Sequence, residues 1–373
     1  MKIQELHKQY GPIVRISPFE VHINDPQYHE TVYSLTSPRN KSEWFLKYLN
    51  VPKSTFATVD HKLHRLRRSA ISPYFSKQKV QGLEPLLRGK VKKLCGRVRE
   101  FSGTGKPLMI EHAYTCFMTD IITEYTCPQC WNYLDIPDLF PEWHKTIKDV
   151  MEIGMITRHI PWAIVPLFFL PEWFVSRTFP KVMRTKKYRQ KCDEVARAVF
   201  QGSKAKDDTL EGEPSTHPPL FNGLANARLP PEERTEERVN HEIVSLIGAG
   251  TETTANTLAV ITFHVLDKPQ ILNRLRNELG NTGVIFEGLR LSYGLSHRSQ
   301  RSSPEGPLYY KDIKIPPNTP VGMTSVMIHH DESIFPRSHD FIPERWTDLQ
   351  ERKILNKYLV AFGRGSRQCV GMK

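Results

Sequence analysis

Between residues 236 and 266 no proline interrupts the chain, and Val244, Ile247, Leu258, Ile261 and Val265 recur at the spacing of one helical face. That stripe predicts one long helix with a side to bury, and it commits the chain to a mainly helical architecture. Helical periodicity also dominates from Asp60 onward, through residues 77–101, 112–126 and 143–158. Strand signals are short. Residues 11–18 and 20–24 alternate like two strands joined by a turn, Asp25-Pro26 reads as a helix start, and strand-like runs return at 306–315 and 321–328. Residues 204–234, rich in Asp, Glu, Gly, Pro and Ser, read as a flexible surface connection, and no internal repeat is visible. The expectation is a single domain over residues 1–373, mainly α with small β-sheets.

Composition narrows the partners. Hydrophobic residues make up 39% of the 373 and charged residues 25%, ordinary for a globular chain with ample core. Fifty-two Lys and Arg against 40 Asp and Glu leave a formal charge of +12, which favours an acidic protein, anionic lipid or nucleic acid. Basic runs at 64–68 and 184–191 read as solvated helix faces; with no aromatic interleaving or nucleic-acid motif beside them, no nucleic-acid partner is expected. Six cysteines in a chain this long do not suggest a disulfide framework. Cys127-Pro128-Gln129-Cys130 lacks the second ligand pair of a zinc site and reads as two incidental cysteines between helices. His329-His330, before Asp331, lacks metal-ligand spacing and reads as loop. Residues 1–10 are polar, unlike a secretory signal. The most apolar run, 160–175, is broken by Pro161, Pro166 and Pro171, whereas a spanning helix needs about 20 apolar residues. Its Trp and Phe content leaves two readings open, a packed hydrophobic loop and peripheral contact with a membrane.

The chemistry concentrates near the end of the chain, in Phe362-Gly363-Arg364-Gly365-Ser366-Arg367-Gln368-Cys369-Val370-Gly371. Gly365 and Gly371 permit turns and close approach that a side chain would obstruct. Arg367 offers a forked donor array to an anion, Phe362 an aromatic plate, and Cys369 a soft anionic metal ligand. Upstream, Ala249-Gly250-Thr251-Glu252-Thr253-Thr254 puts small residues and an acid–hydroxyl pair in the long helix, where Ala249 and Gly250 leave room for something to press against it. Read alone, that string is more simply a helix-packing contact, because such strings are common. Glu287 and Arg290 lie three apart on one helical face, which alone reads as a surface ion pair. Pro343-Glu344-Arg345-Trp346 follows. His64 and Arg68, four apart, share a helical face and can both reach an anion.

These five motifs, in this order, resemble the cytochrome P-450 family of haem-thiolate monooxygenases, and the resemblance spans nearly the whole chain. It implies haem b (heme b) held axially through Cys369, with Phe362 beside it. His64, Arg68, Arg301 and Arg367 would bind the haem propionates. Glu252 and Thr253 would be catalytic, delivering protons during oxygen activation. Glu287, Arg290 and Arg345 would form a buried structural network. The implied reaction inserts one oxygen atom of O2 into an apolar small molecule, by hydroxylation or epoxidation, with electrons from an NADPH-dependent reductase. Substrate would lie against residues 247–254 and a loop carrying Trp44, Phe45 and Phe56. The motif style resembles fungal members that oxidise secondary metabolites such as terpenoids.

Three departures from the family pattern qualify these expectations. The chain starts at the first strands without the membrane anchor of the family's eukaryotic members. Residence at the endoplasmic reticulum surface is therefore implied only by resemblance, and a cytoplasmic location is the other expectation. A connecting segment is expected to be missing near residues 279–284. The chain ends at Lys373, where the family continues into a helix and a small sheet. The sequence therefore leaves two further readings open, a truncated or degenerate homologue without turnover and, in another class, a basic nucleic-acid- or zinc-binding protein.

Overall fold

The computed structural model describes residues 2–207, 219–277 and 282–372, most of them in helices. They group into two compact units, one built from the chain up to Ser42 together with Asn256–Met372, the other from Glu43–Ala255.

The first unit holds all seven strands found among the described residues: β1 (Ile13–Ser17), β2 (Glu20–Ile23), β3 (Asn40–Lys41), β4 (Arg301–Ser302), β5 (Leu308–Tyr310), β6 (Ile313–Ile315) and β7 (Val321–Gly322). The main sheet runs β1-β2-β7-β4-β3, and β5 pairs with β6 as a separate hairpin. β1 and β2 are antiparallel with Val14 opposite His22, as the alternation at 11–24 predicts. β2 pairs parallel with β7, Val21 opposite Val321. Asp25 then caps a short turn of helix at Pro26–Tyr28, its carboxylate accepting the Gln27 N–H at 3.0 Å. Ile23, Val32, Tyr33, Tyr310, Met323 and Val360 form the core beneath this sheet. A second cluster joins Val265, Val284, Leu291 and Phe341; here Gly288 lies so close to Ile261 that a β-carbon would overlap the Ile261 side chain. The strand expected over 321–328 stops after two residues and gives way to the helix Ser325–His329. Short apolar runs fit either period, and burying Ile328 and His329 together decides for the helix.

The second unit is helical. Its main helices are His61–Ile71, Glu84–Arg99, Ile110–Thr126, Pro141–His159 and Pro180–Asp207, with the N-terminal part of the long helix Glu236–Asp267. Asp60 caps the first of them through the Leu63 N–H at 2.8 Å. Leu134, Leu139, Ile147, Val199 and Ile243 are fully buried. A buried ionic chain also crosses the unit. Glu233 accepts from Arg67 at 2.7 Å and from Arg238 at 3.3 Å, and Arg238 reaches Glu242 at 2.5 Å.

That chain corrects the reading of 204–234 as a surface connection. Residues up to Asp207 complete a helix, Leu220–Ala225 forms another, and Leu220, Phe221 and Leu224 are fully buried. The polar and proline-rich neighbours hide a four-residue apolar spacing that is helical. Residues 208–218 of that stretch, and residues 279–281 where a missing segment is expected, lie outside the described residues. The run at 160–175 forms short pieces, Pro161–Ile164, Val165–Phe169 and Glu172–Thr178. Among the described residues no helix is long and apolar enough to cross a membrane.

Candidate active site

The cysteine loop is a closed, supported turn. The Gly363 N–H donates to the Val360 carbonyl at 2.9 Å, and the Cys369 N–H donates to the Phe362 carbonyl at 2.9 Å, which ties the two ends together. Gly365 has φ +73° and rests on the backbone of Tyr33 and Ser34; a β-carbon there would come within 2.6 Å of the Ser34 carbonyl oxygen and overlap that of Tyr33. The same carbonyl of Ser34 accepts the Ser366 N–H at 3.2 Å. Only glycine combines this conformation with this approach. The result is a loop fixed at both ends that presents Cys369 as an exposed thiol, with Phe362 half-buried beside it.

Two of the expected anion-binding arginines lie in the same unit. Arg367 donates to the Arg39 carbonyl at 3.4 Å. Arg301 is more telling. It is buried at 7% exposure, lies 5.2 Å over the Tyr33 ring, and donates to the carbonyls of Ser299 and Gln300 at 2.8 and 3.0 Å. Among the described residues no carboxylate pairs with it. Burial, against a small opposing effect from Tyr33, pulls its pKa below the ordinary arginine value. A buried guanidinium without a counter-charge is costly, so this site suits an anionic group. The exposed soft thiolate donor and the uncompensated buried guanidinium fit a haem, whose iron takes a thiolate and whose edge carries carboxylates.

The Glu-x-x-Arg pair is not on the surface. Glu287 and Arg290 are both fully buried, paired at 2.8 and 2.9 Å. Arg345 joins Glu287 at 3.2 Å. Burial opposes ionisation of Glu287, but hydrogen bonds and charge from Arg290, with the Trp346 indole and Ile342 amide, outweigh it and hold the carboxyl below its usual range. Trp346 is a member the sequence reading missed: its Nε1–H donates to Glu287 at 2.9 Å. Its place directly after Arg345 is the signal for it. Arg290 also spends its outer nitrogens on the carbonyls of His329, Ser338 and Asp340.

On the long helix, Thr253 donates back to the Ala249 carbonyl at 2.8 Å, and Ala249, Thr253 and Thr254 are exposed. Thr251 faces the other way, buried 3.2 Å from Thr119, which also accepts the Trp143 indole N–H at 2.7 Å. The space at Gly250 is already taken, because a β-carbon there would meet Ile122 at 3.0 Å. Ile247 and Phe45 are buried as well, so the open part of the expected substrate face is Ala249, Thr253 and Thr254. Trp44 instead stacks under the Arg158 guanidinium at 4.1 Å. Glu252 is half-buried, and burial raises its carboxyl pKa, Lys148 opposing and Glu111 adding to the shift. A carboxyl that holds its proton closer to neutrality suits proton transfer. His64 and Arg68 share one face of His61–Ile71, His64 buried and Arg68 donating to Ser72 at 3.2 Å.

Cys127 is buried just past Ile110–Thr126, and Cys130 is half-buried with the Lys90 ammonium 3.4 Å away. His329 is no loop residue: it ends the helix Ser325–His329 and is fully buried.

The family model described as Cytochrome P450 matches residues 1–373. The cytochrome P450 monooxygenase MO6277 of Ascocoryne sarcoides is 38% identical over 398 aligned positions, covering 100% of this chain and 77% of its own length. The tryptophan 6-hydroxylase fscE of Fusarium equiseti is 35% identical, covering 100% of this chain and 76% of that protein. The cytochrome P450 monooxygenase TRI4 of Fusarium sporotrichioides is 36% identical, with coverages of 99% and 74%. A crystal structure of a cytochrome P450, CYP102L1, superposes with a TM-score of 0.76 at 17% identity, over 99% of this chain and 86% of that one. Sequence motifs, fold and relatives agree, and the chain belongs to the cytochrome P450 family of monooxygenases.

Proposed function

We propose that this chain is a haem-thiolate monooxygenase that binds haem b through Cys369 and oxidises an apolar small molecule of fungal secondary metabolism, a terpenoid or a compound of similar character. The observation that carries the reading is the exposed Cys369 thiol on a closed loop, in the same unit as a buried Arg301 that has no carboxylate partner among the described residues. The haem, once bound, supplies the oxygen activation and the C–H oxidation.

The chain's own residues bind, orient and deliver protons. Arg301 and Arg367, with His64 and Arg68, hold the propionates, and Phe362 flanks the ring beside the thiolate. Glu252 carries a proton at its carboxyl and Thr253 passes it on from its hydroxyl, with Ala249 and Thr254 leaving open space for substrate. Glu287, Arg290 and Arg345 fix the backbone around the site. Two of the fungal relatives are named as hydroxylases of tryptophan or N-acetyltryptophan, which supports hydroxylation of a small molecule and leaves the terpenoid class resting on the resemblance alone. A positive surface suits an acidic NADPH-dependent reductase as electron donor. Trp162, Phe169 and Trp173, exposed at 77, 84 and 73%, support peripheral contact with a membrane surface such as that of the endoplasmic reticulum.

The test is the absorption spectrum of the purified protein loaded with haem, reduced and exposed to carbon monoxide. A thiolate-type red-shifted Soret band, abolished in Cys369→Ala, supports the assignment. A folded wild-type protein with no band, or a histidine-type band, would instead be the degenerate homologue without turnover.

A further inference from the structure

His329 stands between the buried ion network and the cysteine loop, and it touches both. Its carbonyl accepts from Arg290 Nη1 at 2.8 Å, and its ring Nε2 accepts the Val360 N–H at 3.0 Å. From there the path continues along the backbone. The Val360 carbonyl accepts the Gly363 N–H, and the Phe362 carbonyl accepts the Cys369 N–H, each at 2.9 Å. Every link lies in one unit, and both His329 and Val360 are buried. Because Nε2 accepts, the ring proton sits on Nδ1, which finds no hydrogen-bond partner among the described residues. A buried donor left unsatisfied is unfavourable. The ring orientation is therefore set by the Val360 N–H donating to Nε2 rather than by satisfying both nitrogens.

We propose that His329 is a positioning residue that carries the rigidity of the Glu287–Arg290 network into the cysteine loop and so fixes where the Cys369 sulfur is presented. The imidazole never reaches the reacting atoms. It acts as a neutral acceptor, and burial together with the neighbouring Arg290 charge keeps it in that form, its pKa lowered to about 3. Protonation would turn Nε2 into a second donor facing the Val360 N–H and break the link. The part of the inference that concerns the thiolate rests on the function proposed above.

Two variants separate positioning from bulk stability. His329→Leu keeps most of the buried volume and removes the acceptor; His329→Gln returns an oxygen near the position of Nε2. Amide hydrogen exchange on the haem-free full chain is expected to quicken about five- to tenfold at Val360, Gly363 and Cys369 in His329→Leu, the loss of about one hydrogen bond. The amides of Glu236–Asp267 serve as the unchanged reference, and His329→Gln should restore most of the protection. In the haem-loaded proteins the carbon monoxide band should shift partly from the thiolate type in His329→Leu and return in His329→Gln. Unchanged exchange in His329→Leu, or equal acceleration throughout the chain, overturns the proposal. A wild-type protein lacking the thiolate band would defeat the haem-thiolate reading, while the exchange result would still decide whether His329 anchors the loop.

Discussion

Gly365 rests directly on Tyr33: a β-carbon at position 365 would overlap the Tyr33 carbonyl oxygen, at a φ of +73° that side chains rarely adopt. The loop that presents the cysteine is therefore held by the strand-rich unit at a point where chemistry plays no part.

Gly365→Ala should cost roughly 2–4 kcal/mol, from backbone strain and the forced displacement of residues 33 and 34. Urea unfolding of the haem-free protein reads the loss. An unchanged midpoint would show that the loop does not depend on this contact.

Glu287 accepts five hydrogen bonds from four residues in a fully buried setting, and Arg290 is its main counter-charge. Arg290→Met leaves that buried carboxylate with only the longer Arg345 contact as counter-charge and should destabilise the chain by about 3–5 kcal/mol. Replacing Arg345, bound by a single longer contact to Glu287, should cost clearly less. Equal losses for the two variants would contradict the arrangement described.

Glu252 supplies a pH dependence with a definite sign. Its carboxyl pKa is raised by burial, so its contribution to stability is fully present below the unfolded glutamate value and is lost as pH rises through the folded one. Glu252→Gln should therefore be more stable than wild type at pH 7, with the gap closing toward pH 4. Denaturant titrations at both values check this, and a gap that widens on acidification would be contrary to it.

His22 works the other way. Burial, then the charges of His7 and Arg298, lower its pKa to about 3, while His7 and Thr324 hold its two nitrogens at 2.7 and 2.9 Å. Its stabilisation is complete above the unfolded value near 6.5 and is lost as pH falls toward 3. Stability should fall across that window by up to about 1.4 kcal/mol per pH unit from this group. His22→Asn should show a correspondingly flatter profile.

Trp162 and Trp173 offer a test of surface contact. Flotation with vesicles rich in anionic phospholipid should carry the wild-type chain upward and leave Trp162→Ser/Trp173→Ser behind. Equal flotation of the two would mean that these side chains do not touch lipid.

Much of this architecture is legible in the sequence where local period and burial agree. The long helix and the β1–β2 hairpin announce themselves through spacing, whereas the buried Glu287–Arg290–Arg345 cluster is legible only through the family resemblance, since its Glu-x-x-Arg spacing alone reads as a surface ion pair. The helix at Leu220–Ala225 does not, because its apolar positions are few and its neighbours polar, so composition masks its burial. His329 is illegible for a different reason. Its ring has meaning only through Val360, 31 positions later, and no spacing rule predicts which backbone amide a buried imidazole will meet. The room read at Gly250 is likewise settled by Ile122, a neighbour that only packing reveals.

The central pairing of the sheet joins Val21 to Val321, one near the start of the chain and the other 300 residues on. During synthesis β2 therefore waits for β7 until most of the chain has left the ribosome, with one edge of its hairpin unsatisfied. Closure at such sequence separation is slow, and an open strand edge is adhesive. The yield of native protein should accordingly be set late, by how long the amino-terminal hairpin survives unpaired, and it should improve with slower expression at lower temperature.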